Sequence, residues 1–165
     1  MTMTGRFEVR VSKDYLVFPA GHFITYGGGE CESLHGHNYR AAVAVEGDVD
    51  ENHYVIDFAE LKEIARGIVR ELDHKMLLPD RNPKIRLTED ADSITAEYKD
   101  RRYVFPRSDV VVLPIPNTTA EMLAQYIAGR VKAELIRRGH THLRAIAVEV
   151  EESFGQSAGY RERIG

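Results

Sequence analysis

The sequence has a single cysteine, Cys31, and no tryptophan among its 165 residues. One thiol excludes an internal disulfide, so a compact fold must rest on its hydrophobic core, and it fits a reducing compartment. No apolar run approaches the roughly 20 residues of a membrane-spanning helix. The opening stretch, "MTMTGRFEVR", lacks the apolar segment of a secretion signal, which predicts a cytoplasmic protein. Positive charge is not in excess: 22 Lys and Arg stand against 26 Asp and Glu, a formal net charge of −4. That leaves no electrostatic footprint for nucleic acid or an anionic membrane. A dinucleotide fingerprint is missing as well, and Gly27-Gly28-Gly29 has the spacing of no phosphate loop; "ITYGGGE" reads as a glycine-rich turn. The lack of tryptophan excludes nothing.

What remains is a chain of ordinary globular composition, 43% hydrophobic and 29% charged, long enough for one domain with one core. Phe7, Val9 and Val11 alternate with charged residues, as in a half-buried strand. "DYLVFPAGHF" continues extended, and "HGHNYRAAVAVEG" reads as the next strand. The period then changes. Phe58, Leu61, Ile64, Ala65, Ile68 and Leu72 share one helical face, with Asp57 and Glu60 spaced as a capping box. A second helix has Thr118 and Glu121 at the same spacing. Its stripe is Met122, Leu123, Tyr126, Ile127, Val131 and Leu135, and Gly139 is its stop. Between the helices, Ile94, Ala96 and Tyr98 face Tyr103 and Phe105 across a turn at "KDRR", and Val110 to Leu113 forms a short strand. "HLRAIAVEVEES" and "GYRERI" close the order of strands, helix, strands, helix, strands, an α+β domain.

Chemistry concentrates around Cys31. His35 and His37 sit at i and i+2, so on a strand both imidazoles leave the same face, about 7 Å apart at their Cα atoms. With His22, which ends the preceding extended segment, they make a three-histidine set with an open position, the pattern of a catalytic zinc site. A second His-x-His pair, His140 and His142, follows a helix and reads as a solvated turn. Cys31 has three readings: a fourth zinc ligand, a nucleophile or base beside the metal, or a buried free thiol. Asp73 and His74 make an adjacent acid–imidazole couple, either a helix-end cap or a proton shuttle. Glu152 has the parity of the apolar residues Ile146, Val148 and Val150. If the strand runs on regularly, its carboxylate points inward, which costs several kcal/mol unless a partner offers paired N–H donors. A strand end or bulge at Glu151 is the alternative.

These motifs resemble the 6-pyruvoyl- and 6-carboxytetrahydropterin synthases. The likeness runs nearly end to end through "FPAGHF", "CESLHGHNY", "YVIDFAELK", "LDHKML", "NTTAEMLAQYI" and "VEVEESFGQSAGYR". The resemblance implies the tunnelling fold over residues 1–165 as a single domain, with an insertion at about 80–110. That fold is an antiparallel β-sheet with two helices packed on one face, its strands completing a barrel by oligomerisation. It implies Zn2+ on His22, His35 and His37, Cys31 as the thiolate base, and Asp73 with His74 as a proton relay. Glu152 would grip the edge of the pterin ring, aided by Thr118 and Thr119. The family's usual proline before the second of these threonines is here Thr118. The implied substrate is 7,8-dihydroneopterin triphosphate, bound in a trimer or hexamer with sites between subunits.

Glu32 complicates this picture. In one branch of the family a glutamate three residues before the first histidine works where the cysteine is missing, giving 6-hydroxymethyl-7,8-dihydropterin for folate synthesis. This chain has both residues, and its long insertion, "ITAEYKDRRYVFPRSD", resembles that branch. Three products are therefore open: 6-pyruvoyltetrahydropterin, 6-carboxytetrahydropterin and 6-hydroxymethyl-7,8-dihydropterin. An unrelated zinc hydrolase and a pterin-binding paralogue without turnover are the competing functions.

Overall fold

The strand that carries His-Gly-His organises the sheet. The computed structural model describes residues 5–165. Its first strand, β1 (Phe7–Val11), leads through one 3-10 turn to β2 (Val17–His22). The two-residue strands β3 (Thr25–Tyr26) and β4 (Glu30–Cys31) flank the glycine run, and β5 (His35–Gly47) follows. Helix α1 (Phe58–Leu72) leads into β6 (Lys75–Pro79). Then come β7 (Arg86–Glu89), β8 (Ser93–Tyr98), β9 (Arg101–Pro106) and β10 (Val110–Leu113). Helix α2 (Ala120–Arg137), β11 (Leu143–Ser153) and β12 (Gln156–Arg163) complete the chain.

One edge of β5 is shared by β1 and β2, which pair with its two halves, and β11 takes the other edge. The sheet runs β10-β6-β2-β5-β11-β12, with β1 beside β5. It is not wholly antiparallel, as the resemblance implied: β6 is parallel to both β2 and β10. Parallel neighbours need long connections, and the chain supplies them, through β5 and α1 on one side and through β7 to β9 on the other.

Both helices lie over the face formed by Phe18, Tyr39, Ala41, Val43, Val45, Ile146, Val148 and Val150. Leu61, Ile64, Ala65, Ile68, Val69 and Leu72 of α1 and Leu123, Ala124, Ile127, Ala128, Val131 and Leu135 of α2 fill the core. Each fully buried Leu or Ile adds ~1.5–3 kcal/mol. Phe58 leaves the expected stripe. At the first position of α1 it is 59% exposed, while Val69 joins the core instead. Asp57 caps α1 by accepting from Ala59 N–H at 2.7 Å, but Glu60 does not close the box. It reaches His140 Nε2 at 2.9 Å and Arg138, tying α1 to the end of α2. His142 Nε2–H donates to the Val55 carbonyl at 2.7 Å, so the second His-x-His pair is a bonded corner rather than a solvated turn. Helix α2 is capped by Thr119, one residue later than the spacing suggested, because the Thr118 side chain is buried with its hydroxyl on Phe23 O. The amides of Gly139 and His140 donate back to Ile136 and Leu135, a Schellman ending. Neither helix is long and apolar enough to cross a membrane.

The excursion between β6 and β10 makes a separate antiparallel sheet, β7-β8-β9. It covers a second apolar cluster of Phe23, Cys31, Met76, Leu78, Ile85, Ile94, Ala96 and Tyr98. The histidine end of β2 and β5 lies where the two cores meet.

Candidate active site

β2 ends and β5 begins at the same point, with His22 opposite His35 and Ala20 opposite His37. Alternation places His35 and His37 on the inward face with Tyr39 and Ala41, so the apolar stripe of β5 runs out into imidazoles. Gly36, between the two histidines, faces Gly21 of β2. A Cβ there would stand 3.1 Å from the Ala20 carbonyl oxygen.

The three rings meet edge to face, with centroids 4.8 to 5.1 Å apart. One ligand nitrogen from each lies within 4.8 Å of the others. Backbone carbonyls set their tautomers. A carbonyl only accepts, so His22 Nδ1–H donates to Thr118 O at 2.8 Å and His35 Nδ1–H to Ser33 O at 2.7 Å. Both Nε2 atoms are thus left with a free lone pair, the form a metal requires. His22 Nε2 and His37 Nε2 are buried and have no hydrogen-bond partner among the described residues. Burial also holds the pKa of His22 below the usual imidazole range, favouring the neutral ring. The donor set and its orphaned nitrogens fit a divalent metal ion held by three histidines. Tyr39 lies beneath His22 and His37, and burial pushes its phenol far up, so it keeps its proton.

Two carboxylates border this cluster. Glu32 follows β4; its N–H donates to Ile24 O at 2.9 Å and its Oε2 accepts from Ile24 N–H at 3.2 Å. That pair of bonds leaves Oε2 3.9 Å from His35 Nε2. Glu152 sits at a register shift in the β11–β12 ladder, yet its carboxylate still turns to the site, with Oε1 3.3 Å from His37 Nε2. The inward carboxylate and the bulge, posed as alternatives by the sequence, occur together. Glu152 and Thr119 line one small hollow of about 210 Å3 at the head of α2.

Cys31 and Glu32 diverge. Cys31 points into the second apolar cluster, while the next residue meets the histidines. The thiol is not part of the three-histidine ligand group. Burial pushes its pKa up, partly opposed by the Arg101 guanidinium. Asp73 Oδ1 accepts from His74 Nδ1 at 2.9 Å, so the acid–imidazole couple forms. His74 has φ 56° and its side chain is 78% exposed. Its ring has no hydrogen bond to the histidine cluster, although His74 and His37 border the same open hollow. Thr118 is fully buried, with its hydroxyl donating to Phe23 O at 3.3 Å and its carbonyl receiving His22. Its contacts are those of a brace for His22.

Asn117 and Asn82, which the sequence did not single out, hold Thr25. An asparagine just before a helix is a turn signal, but its partner lies about 90 residues away and no local pattern reveals it.

A family model described as 6-pyruvoyl tetrahydropterin synthase matches residues 10–163. A protein of Methanocaldococcus jannaschii, provisionally named 6-carboxy-5,6,7,8-tetrahydropterin synthase, is 35% identical over 150 residues, spanning 90% of this chain and 91% of its own. Dihydroneopterin monophosphate aldolase of Pyrococcus furiosus is 43% identical over 60 residues, 36% of this chain and 50% of its own. A solved Plasmodium vivax 6-pyruvoyltetrahydropterin synthase, in which a catalytic glutamate is replaced by alanine, matches with a TM-score of 0.89 at 29% identity. That match covers 96% of this chain and 99% of the other. With a family model spanning nearly its whole length and a relative of this identity over nine-tenths of it, the chain belongs to the 6-pyruvoyl tetrahydropterin synthase family.

Proposed function

We propose that the chain is a zinc-dependent lyase of the pterin side chain, acting on 7,8-dihydroneopterin triphosphate. His22, His35 and His37 hold the metal, and the Glu32 carboxylate takes a proton from the substrate. The observation that carries this reading is the divergence at Cys31–Glu32: the carboxylate lies 3.9 Å from His35 Nε2, whereas the thiol is buried in an apolar cluster. Zinc, when bound, polarises the side-chain oxygens and makes the neighbouring proton more acidic. Glu32 is tied at its own amide and its carboxylate to Ile24, so it meets the substrate already oriented. The Plasmodium vivax enzyme with a catalytic glutamate, and the likeness to an aldolase of Pyrococcus furiosus, support this assignment. Loss of the proton from the hydroxyl on the second side-chain carbon breaks the bond between the first and second carbons, and a proton returned to the first carbon gives 6-hydroxymethyl-7,8-dihydropterin and a two-carbon aldehyde that keeps the triphosphate.

A second reading keeps Cys31 as the base and gives 6-carboxy- or 6-pyruvoyltetrahydropterin. It is favoured by the match to the Methanocaldococcus jannaschii relative over nine-tenths of the chain. Mass spectrometry of the pterins formed by the zinc-loaded protein from 7,8-dihydroneopterin triphosphate separates the two. The hydroxymethyl dihydropterin is expected. A tetrahydropterin overturns the first reading in favour of the second, and no product at all leaves a pterin-binding paralogue.

Glu152 and Thr119 share the small hollow beside the histidines, and a carboxylate there suits the paired N–H donors of a pterin edge. Glu152→Gln loses the charge-assisted part of that contact. Pterin affinity, read by fluorescence titration, should fall about 10- to 100-fold, with metal content and melting temperature unchanged. Unchanged affinity would remove Glu152 from the pterin site.

Asp73 and His74 supply the second proton position. Their exposure, and the open edges of β10 and β12, support an assembly in which copies of the chain complete the barrel and bring this couple to a site between subunits.

A further inference from the structure

Residues 24–32 deliver Glu32 to the histidines; the two Ile24–Glu32 bonds close the base of the segment, and little else inside it holds the turn. Strands β3 and β4 are two residues each, too short for an independent hairpin. Gly27, Gly28 and Gly29 join them at φ 37°, 66° and 127°, a run that loses more backbone freedom on ordering than any other residues would. The turn's own bond, Gly29 N–H to Tyr26 O, is long at 3.4 Å.

The remaining restraints come from outside. Asn117 and Asn82 grip Thr25, at 2.8 Å to its carbonyl and 3.0 Å to its hydroxyl. The other arm is held by the tip of the β8–β9 hairpin, about 70 residues away. The Tyr98 hydroxyl and Lys99 Nζ both donate to Gly29 O. Arg101 Nη1 donates to Cys31 O at 3.1 Å and to Glu32 O at 3.0 Å. Below them, the Cys31 side chain packs with Ile94, Ala96 and Tyr98 of the same hairpin. Two consecutive carbonyls converging on one guanidinium fix the backbone on both sides of the Cys31–Glu32 peptide. Together with the Ile24–Glu32 bonds, that restrains the peptide from which the two side chains diverge.

We propose that Arg101 is a positioning residue: by holding the carbonyls of Cys31 and Glu32 it keeps the Glu32 carboxylate at the metal site and the Cys31 thiol in the apolar cluster. The consequence for turnover rests on the assignment of Glu32 as base; the consequence for the loop does not. A guanidinium suits the task because its N–H groups are set in a rigid plane, and a lysine offers only a movable point donor.

The test uses the full-length zinc-loaded protein with Arg101→Ala, Arg101→Lys and, as a control on the same hairpin, Arg102→Ala. Among the described residues the Arg102 side chain pairs with Glu97, at 3.8 Å. Hydrogen exchange is read first. Amides of residues 25–34 should exchange about tenfold faster in Arg101→Ala, with β5 beyond His37 and α2 unchanged. Unchanged exchange in 25–34, or the same rise in Arg102→Ala, overturns the proposal whether or not the protein turns over. Turnover is read second. In Arg101→Ala, kcat should fall about 10- to 100-fold with little change in KM and none in zinc content, and Arg101→Lys should recover part of it. On a Glu32→Gln background Arg101→Ala should add little further loss. Full additivity would overturn the link to Glu32. A wild-type protein inactive on dihydroneopterin triphosphate would instead refute the proposed function and leave the exchange result to decide the role of Arg101.

Discussion

Glu32→Gln should lower kcat on 7,8-dihydroneopterin triphosphate by about 10^3-fold, the usual scale for a lost general base, without loss of zinc. Glutamine keeps the shape of the side chain and an oxygen that can accept from Ile24 N–H, so the loop stays in place and only the proton acceptor disappears. Cys31→Ala is the companion. The thiol lies outside the three-histidine group, so metal content should be unchanged. Removing Sγ from the cluster of Phe23, Ile94 and Tyr98 leaves a small void, with a cost of about 1 kcal/mol in stability. Turnover should fall less than about tenfold, because the base is in place and only the packing beneath it has loosened. The reverse pattern, with activity lost in Cys31→Ala and kept in Glu32→Gln, would give the proton transfer to the thiol. For that, Cys31 would have to leave an apolar pocket that disfavours its thiolate. Zinc analysis of the same two proteins closes the remaining alternative: metal lost with Cys31 would place its sulfur in the coordination sphere.

The divergence of Cys31 and Glu32 marks the boundary of what the sequence could reveal. Long periodic elements were legible because their partners impose one face over many residues. The inward stripe of β5, the core faces of both helices and the imidazoles at i and i+2 all follow from spacing. Strand β6 was not legible because it has no period. Leu77 enters the main core while Met76 and Leu78 enter the second, so "KML" and its neighbours read as an undivided apolar run. Its parallel pairing depends on where two long connections return. Thr118 and Thr119 are both able N-caps, and only the burial of one beside Phe23 and His22 decides between them. Glu60 had a local role available in a capping box and was taken by His140 and Arg138, about 80 residues away. A two-residue strand such as β4 carries no face of its own. Cys31 is held at its carbonyl by a hairpin that follows it by some 70 residues, and no reading of "GECES" contains that contact.

Removal of zinc should lower the melting temperature by several degrees and abolish turnover, and the same treatment should barely move His37→Ala. The three imidazoles close one end of the main core, where His22 Nε2 and His37 Nε2 are buried without a hydrogen-bond partner among the described residues. Each such atom costs about 1–3 kcal/mol until something engages it. A metal bound to the folded chain and not to the unfolded one adds about 2.7 kcal/mol at a hundredfold excess over its dissociation constant. His37→Ala removes one orphan and one proposed ligand together. The variant should therefore fold, bind zinc at least about 100-fold more weakly and lose the stability difference between metal-loaded and chelated forms. His22→Ala should behave differently. It also strips the Thr118 carbonyl of its donor at the head of α2, so this variant should melt lower than His37→Ala in the presence of chelator. Thermal melts with and without chelator, read beside zinc content, check each point. A zinc-dependent shift that survives in His37→Ala would mean that the stabilising ion sits elsewhere. His140 and His142 are poor candidates for that, because their Nε2 atoms are already engaged by Glu60 and the Val55 carbonyl.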